Sequence, residues 1–244
     1  MILPEKTFLK TCCRLHESDF GFDQNVKMLR VLQFLQDAAT QHGEQLGLGW
    51  NAMDANGILW VLSKIKVVFD KPVTRKTQEF LLYTWPLAPT RFFAERCFTA
   101  VTDEGQIFSA TSFWSLISKE QRKILPAEKM NEFFHGEYSA AHCDASADYV
   151  RVRFDETFVP VYEKTVRRSD LDLNGHVNNT NYATYASDVL SPEEEILSME
   201  IVFHKELKLG DTLTVYAKRQ DNFVMVVGRR EDTCFSAVIQ LATV

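Results

Sequence analysis

One long stretch of the first half carries apolar residues at helical spacing. In NVKMLRVLQFLQDAATQHGEQLG, residues 25–47, the positions Val26, Leu29, Leu32, Leu35, Ala38, Ala39, His42 and Leu46 fall near one face, which predicts a helix. Val31 and Phe34 add apolar surface beyond that stripe, so the helix is expected to be largely enclosed. Strand-like runs follow: ILWVLSKIKVVF (58–69), in which Lys64 and Lys66 alternate against Ser63, Ile65 and Val67, then TQEFLLYTW (77–85), RFFAERCFTAV (91–101) and QIFSATSFWSLIS (106–118). Asp103, Glu104 and Gly105 mark a turn between the last two. The second half offers VPVYEKTVR (159–167) as a strand and a helix from about Asn179 to Leu190. ILSMEIVFHKEL, DTLTVYAKR, NFVMVVGRR and TCFSAVIQLATV (196–244 in all) then read as strands.

The two halves repeat. Residues 18–38 lie over residues 169–189 without a gap, pairing Ser18 with Ser169, Asp19 with Asp170, Val26 with Val177 and Asp37 with Asp188. VVFDKPVTRKT (67–77) resembles IVFHKELKLGDT (201–212) with one extra residue in the second copy. A polar turn, a helix and a meander of antiparallel strands, written twice, predict an internal duplication and an α+β fold in which a curved sheet wraps a central helix. The expected domains are 1–118 and 157–244. Residues 119–156 between them are charged and weakly periodic, and read as a linker with one short helix.

Composition narrows the function. With 244 residues, 45% of them hydrophobic, the chain can bury an ordinary core. No run of eighteen apolar residues predicts a membrane span, and MILPEKTFLK lacks the features of a signal or transit peptide, so the expected compartment is the cytosol. Cys12, Cys13, Cys97, Cys143 and Cys234 are odd in number and form no CxxC pair, which predicts reduced thiols and neither a disulfide framework nor a metal site. A net charge of −6 argues against a nucleic-acid partner.

Chemistry concentrates in RRSDLDLNGHVNNTNYATYASD (167–188), where six Asp and Asn residues and one His fall in the first fifteen positions. DLDLNG (170–175) opens like a calcium loop, but the twelfth position holds Asn181 where a bidentate Glu is needed, and a strand precedes it in place of a helix. A purely structural turn, with Asn174 and Gly175 reversing the chain and Asn178 or Asn179 capping the helix, accounts for a few of these residues. It leaves Asp172 and His176 without a purpose. As an active site, the helix start offers amides from His176 to Asn179 to a developing oxyanion, while His176 relays a proton and Asn174 holds a water or the imidazole. Glu206 supplies a carboxylate. Its counterpart in the first half is Pro72, and the matching turn there carries Asp23 and Asn25, so only the second copy is chemically equipped.

DLDLNGHVNNTNY resembles the signature of the plant-type acyl-acyl-carrier-protein thioesterases, which also occur in bacteria, and LQDAATQH, WVLSKIKVVFDKPV and IVFHKEL are similar to other segments of that family. The resemblance covers nearly the whole chain. It implies a tandem double hot-dog fold, hydrolysis of the thioester between a fatty acyl chain and acyl carrier protein without a cofactor, and a catalytic centre in the C-terminal half at Asp172, Asn174, His176 and Glu206. Plant members often carry a cysteine directly after that Glu; here the position is Leu207, which leaves water as the expected nucleophile. Asn178 and Asn179 are expected to bind substrate. Leu32, Leu35, Trp60, Phe98, Phe113 and Trp114 are candidates to line an acyl tunnel in the first half, and Arg167, Arg168, Lys205 and Lys208 are candidates to dock the acidic carrier. An acyl-CoA thioesterase and a non-catalytic acyl-binding module are the competing readings, and both a monomer and a homodimer fit an edge-to-edge pairing of the two halves.

Overall fold

The computed structural model describes residues 7–145 and 149–242. The first six residues, three positions of the linker and the last two of the final expected strand lie outside the described residues. The first half comprises β1 (Leu9–Arg14), α1 (Met28–Gln45), α2 (Trp50–Ala55), β2 (Ile58–Phe69), β3 (Glu79–Pro86), β4 (Ala94–Thr102) and β5 (Gly105–Ser118). A two-residue strand, β6 (Ile124–Leu125), pairs with β5, and a 3-10 turn spans Ala127–Glu132. The second half comprises β7 (Val159–Thr165), α3 (Asn181–Ser187), β8 (Ile196–Phe203), β9 (Thr212–Gln220), β10 (Phe223–Arg229) and β11 (Thr233–Leu241).

The strands form one antiparallel sheet in the order β1-β3-β4-β5-β2-β8-β11-β10-β9-β7. The halves are therefore not two separate sheets: β2 and β8 pair at the centre, with Ile65 opposite Ile201 and Val67 opposite Met199. Each half contributes the same order outward from that seam. The main helices lie together on one face, and a single apolar core runs through Leu32, Leu35 and Ala38 of α1, Tyr182 and Ala186 of α3, and Val67 and Ile201 of the seam.

Local sequence explains the differences between the halves. α1 runs for 18 residues because its apolar positions continue through His42. α3 has seven residues, shorter than the expected 179–190, because Pro192 disfavours helical backbone at Ser191 and Asp188 already closes the last turn. In β2 a bulge between Leu62 and Lys64 takes Ser63 out of register. Ile58 and Leu62 before it and Ile65 and Val67 after it all reach the core, while Lys64 and Lys66 turn to the opposite face. Phe113 also lies on that outer face, packed edge-on against Phe93 and Tyr149, with Lys64 Nζ 5.1 to 5.9 Å from the three ring centroids.

Candidate active site

The polar turn of the second half is built by Asp172. Its Oδ1 accepts the backbone N–H of Asn174 at 2.8 Å and of His176 at 3.2 Å, and its own N–H donates to the His176 carbonyl at 2.8 Å. Gly175 supplies the positive φ of +76° that this reversal needs. His176 bridges to Lys208, and Val177 donates its N–H to the Leu207 carbonyl at 2.8 Å. These two contacts clamp the turn onto the segment after β8 and bring His176 Nε2 to 3.3 Å from Glu206 Oε2. The His176 side chain is about one-quarter exposed and that of Glu206 more than half, so water reaches the pair directly. Asn174 stands exposed at the tip of the turn beside Leu173.

The expected run of free amides is shorter than the sequence reading. The N–H groups of His176, Val177 and Asn178 are spent on Asp172, Leu207 and Asp170, and the Asn178 side chain accepts from Thr180 N–H at 3.0 Å and Thr180 Oγ1 at 2.9 Å. Asn178 thus holds the turn that leads into α3, whose N-cap is Thr180 and not, as expected, Asn178 or Asn179. Among the described residues, Asn179 alone in this stretch has an N–H with no protein acceptor. Asn179 and Thr180 also line a narrow slot of about 20 Å³ between α1 and the first-half sheet, walled by Leu32, Leu35, Phe98 and Trp114.

Four of the six apolar candidates therefore meet at one cavity and two do not. Trp60 donates its Nε1–H to the Leu48 carbonyl at 3.0 Å and packs edge-on to Trp114 within a satellite core beneath α2. Phe113 alternates away to the outer face. Of the basic candidates, Arg167, Arg168 and Lys208 are exposed, and none of them has an ion-pair partner among the described residues. Lys205 is paired with Asp232. Leu207 is fully buried. Cys234, behind the Glu206 segment, accepts the N–H groups of His204 and Lys205 on its carbonyl, and burial pushes its thiol pKa up.

The same framework recurs without the chemistry in the first half. Asn25 bridges to Thr74 as His176 does to Lys208, Val26 N–H donates to the Val73 carbonyl at 2.8 Å, and Lys27 N–H donates to Asp19 as Asn178 does to Asp170, both at 2.9 Å. Even the left-handed position matches: Gln24 has φ +68° where the second copy has Gly175. An open cavity of about 510 Å³ lies at this turn and includes Pro72, the counterpart of Glu206.

Two fused antiparallel halves, each with a helix on the concave face and a polar turn at that helix's start, define a double hot-dog protein. Family comparison agrees and is more specific. The acyl-ACP thioesterase N-terminal domain matches residues 6–133 and the acyl-ACP thioesterase C-terminal domain matches residues 157–240; the chain belongs to the acyl-ACP thioesterase family. A chloroplastic acyl-[acyl-carrier-protein] hydrolase of Cuphea viscosissima is 24% identical over 212 residues, covering 80% of this chain and 50% of the relative. A chloroplastic palmitoyl-acyl carrier protein thioesterase of Gossypium hirsutum is 28% identical over 176 residues, covering 67% and 42%. The chain spans about half the length of the curated relatives it matches. Among solved structures, an acyl-ACP thioesterase from Bacteroides thetaiotaomicron superposes with a TM-score of 0.82 at 21% identity, covering 97% of this chain and 98% of the other. A 12:0-ACP thioesterase from Umbellularia californica gives 0.81 at 18%, covering 97% of each. Both share the fold. No helix among the described residues is long and apolar enough to cross a membrane.

Proposed function

We propose that this protein hydrolyses the thioester between a fatty acyl chain and acyl carrier protein. The observation that carries the reading is the His176–Glu206 pair at 3.3 Å, three residues before Asn179, a residue that lines an apolar slot and whose N–H has no protein acceptor among the described residues. Glu206 and His176 together polarise a water and accept its proton as its oxygen bonds to the acyl carbon. The carbonyl oxygen gathers charge and is met by the Asn179 N–H. The C–S bond then breaks, and the proton returns to the departing thiolate. Asp172 positions His176 through the turn it builds, and exposed Asn174 orients the water. Leu207 has no nucleophilic atom, and Cys234 is held as a neutral buried thiol, which supports direct attack by water.

In this reading residues 1–118 hold the acyl chain, 119–156 connect, and 157–244 carry the chemistry. The carrier docks on Arg167, Arg168 and Lys208, whose side chains are exposed and form no ion pair among the described residues. Hydrolysis of a panel of carrier-bound thioesters from short to long chains, beside matched CoA thioesters, tests the assignment. Preference for the carrier-bound forms is the expected result. Preference for CoA substrates transfers the same chemistry to an acyl-CoA thioesterase, and binding without turnover of either overturns the hydrolase.

A further inference from the structure

The two polar turns share one framework and present different surfaces. A three-residue 3-10 turn opens each, Glu17–Asp19 in the first half and Arg168–Asp170 in the second, so Glu17 and Arg168 are counterparts. Asn25 bridges to Thr74 in the first half and His176 to Lys208 in the second. The residue after each bridge differs in kind: Arg75 follows Thr74, whereas Leu209 follows Lys208. In the first half Glu17 and Arg75 neutralise one another, with Arg75 Nη2 at 2.7 Å from Glu17 Oε1. The second half has Arg168 and Leu209 in those two places, and Arg167 and Lys208 add two more cations. All three cations are exposed, and none forms an ion pair among the described residues. A chain of net charge −6 thus sets unpaired cations beside the His176–Glu206 pair.

Within that rim two leucines face solvent. Leu173 is fully exposed at the tip of the turn, and Leu209 is 63% exposed. A single exposed leucine is ordinary on a protein surface. These two are placed by the contacts that build the site. Leu173 stands three residues before His176 and Leu209 three residues after Glu206, and the His176–Lys208 bridge fastens their segments together. The same segments fill the core with Val177 and Leu207, so burial demands no apolar residue at either tip. Protein interfaces combine an apolar centre with a polar rim, and their charges steer and orient the partner.

We propose that Leu173 and Leu209 are the apolar anchor of the carrier-docking surface. They cover an exposed apolar side chain of the acidic carrier, while Arg167, Arg168 and Lys208 meet its carboxylates around them. The inference rests on the hydrolase reading above and adds to it the residues that hold the carrier once charge has brought it in. Salt screens the charged contacts. Burial of the leucines is not screened, so the two contributions separate in a single titration with salt.

The test measures KM for an acyl chain on the carrier and for the same chain on a small soluble thiol, at low and high salt. The variants are Leu173→Ser, Leu209→Ser, the two combined, both leucines changed to Met, and Phe22→Ser, which truncates the exposed first-half counterpart of Leu173. The combined Ser variant is expected to raise KM for carrier-bound substrate by at least about fivefold, the scale of an interface anchor. The rise persists at high salt and spares the small thioester. The Met pair and Phe22→Ser are expected to stay near wild type. Thermal unfolding checks each variant, and should Leu173→Ser fail to fold, Leu209→Ser alone decides. An unchanged carrier KM, an equal rise for both substrates, an equal rise in Phe22→Ser, or a rise that disappears at high salt overturns the anchor and leaves the hydrolase standing. If no thioester is turned over, the hydrolase reading fails, and calorimetric titration of acylated carrier into wild type and the combined Ser variant decides the anchor. Binding weakened at least about fivefold in the variant supports it; equal affinity, or no binding to the wild type, overturns it.

Discussion

His176 and Glu206 approach to 3.3 Å although thirty positions separate them, because a bridge between His176 and Lys208 fastens the polar turn to the end of the segment after β8. Neither side chain is needed to hold that fastening, which is made by backbone groups. Glu206→Ala and His176→Ala are therefore expected to lower turnover by at least about 10² with an unchanged melting transition. Steady-state hydrolysis and thermal unfolding, run on the same preparations, separate the two effects; near wild-type turnover in either folded variant removes it from the catalytic machinery.

Arg167 and Arg168 sit just upstream of the site, exposed and without an ion-pair partner among the described residues. Reversing both to Glu is expected to raise KM for carrier-bound substrate, most strongly at low salt, where surface charge is least screened. Hydrolysis of a small soluble thioester stays unchanged. An equal rise for both substrates rules out a docking role.

Leu207 occupies the place where plant relatives often carry cysteine, yet it is fully buried and its carbonyl holds Val177. Leu207→Cys is expected to leave turnover no higher than wild type and to cost stability, by less than the roughly 2–5 kcal/mol of a full Leu→Ala truncation. Urea unfolding and thiol alkylation of the variant check both halves of that statement; an alkylation-sensitive gain in rate contradicts it.

His42 makes stability depend on pH. Its folded pKa, held down to about 4 mainly by burial, lies below the unfolded value near 6.5. The unfolded chain therefore binds the extra proton in that interval. The His42 contribution is fully present above about pH 6.5 and is lost as pH falls toward 4, by something of order 3 kcal/mol. Unfolding free energy measured from pH 7 to 4 is expected to fall more steeply for the wild type than for His42→Gln. Parallel curves would show that His42 takes up its proton equally in the folded and unfolded chains, and would overturn the lowered pKa.

Much of this architecture is legible in the chain because period and polarity agree there. The long α1, the strands that follow it and the duplication follow from patterns that burial enforces, and the matched backbone bonds of Val26 to Val73 and Val177 to Leu207 put the repeat on a structural footing; the strand order does not, since the expected meander gives way to a pairing of β2 with β5 and of β8 with β11. Short elements escape such reading. α2, six residues of Trp50–Ala55, buries only Met53 and has no periodicity to detect, and β1 lies in a segment too short and mixed to stand out. Phe113 misleads as a tunnel residue because an aromatic on a strand fits either face, and parity here turns it outward. The spent amides of His176, Val177 and Asn178 depend on partners at Asp172, Leu207 and Asp170, and partner choice of that kind is invisible until the chain is folded. The Arg96–His42 contact likewise joins residues 54 positions apart.

The β2–β8 seam has a further effect on how the molecule responds to its surroundings. Where two such units meet as separate chains, their pairing weakens as the protein is diluted. Here the connection through residues 119–156 makes it an intramolecular event, governed by a fixed effective concentration. The slot, which draws its walls from the first half and Asn179 and Thr180 from the second, therefore keeps both contributors joined at any protein concentration.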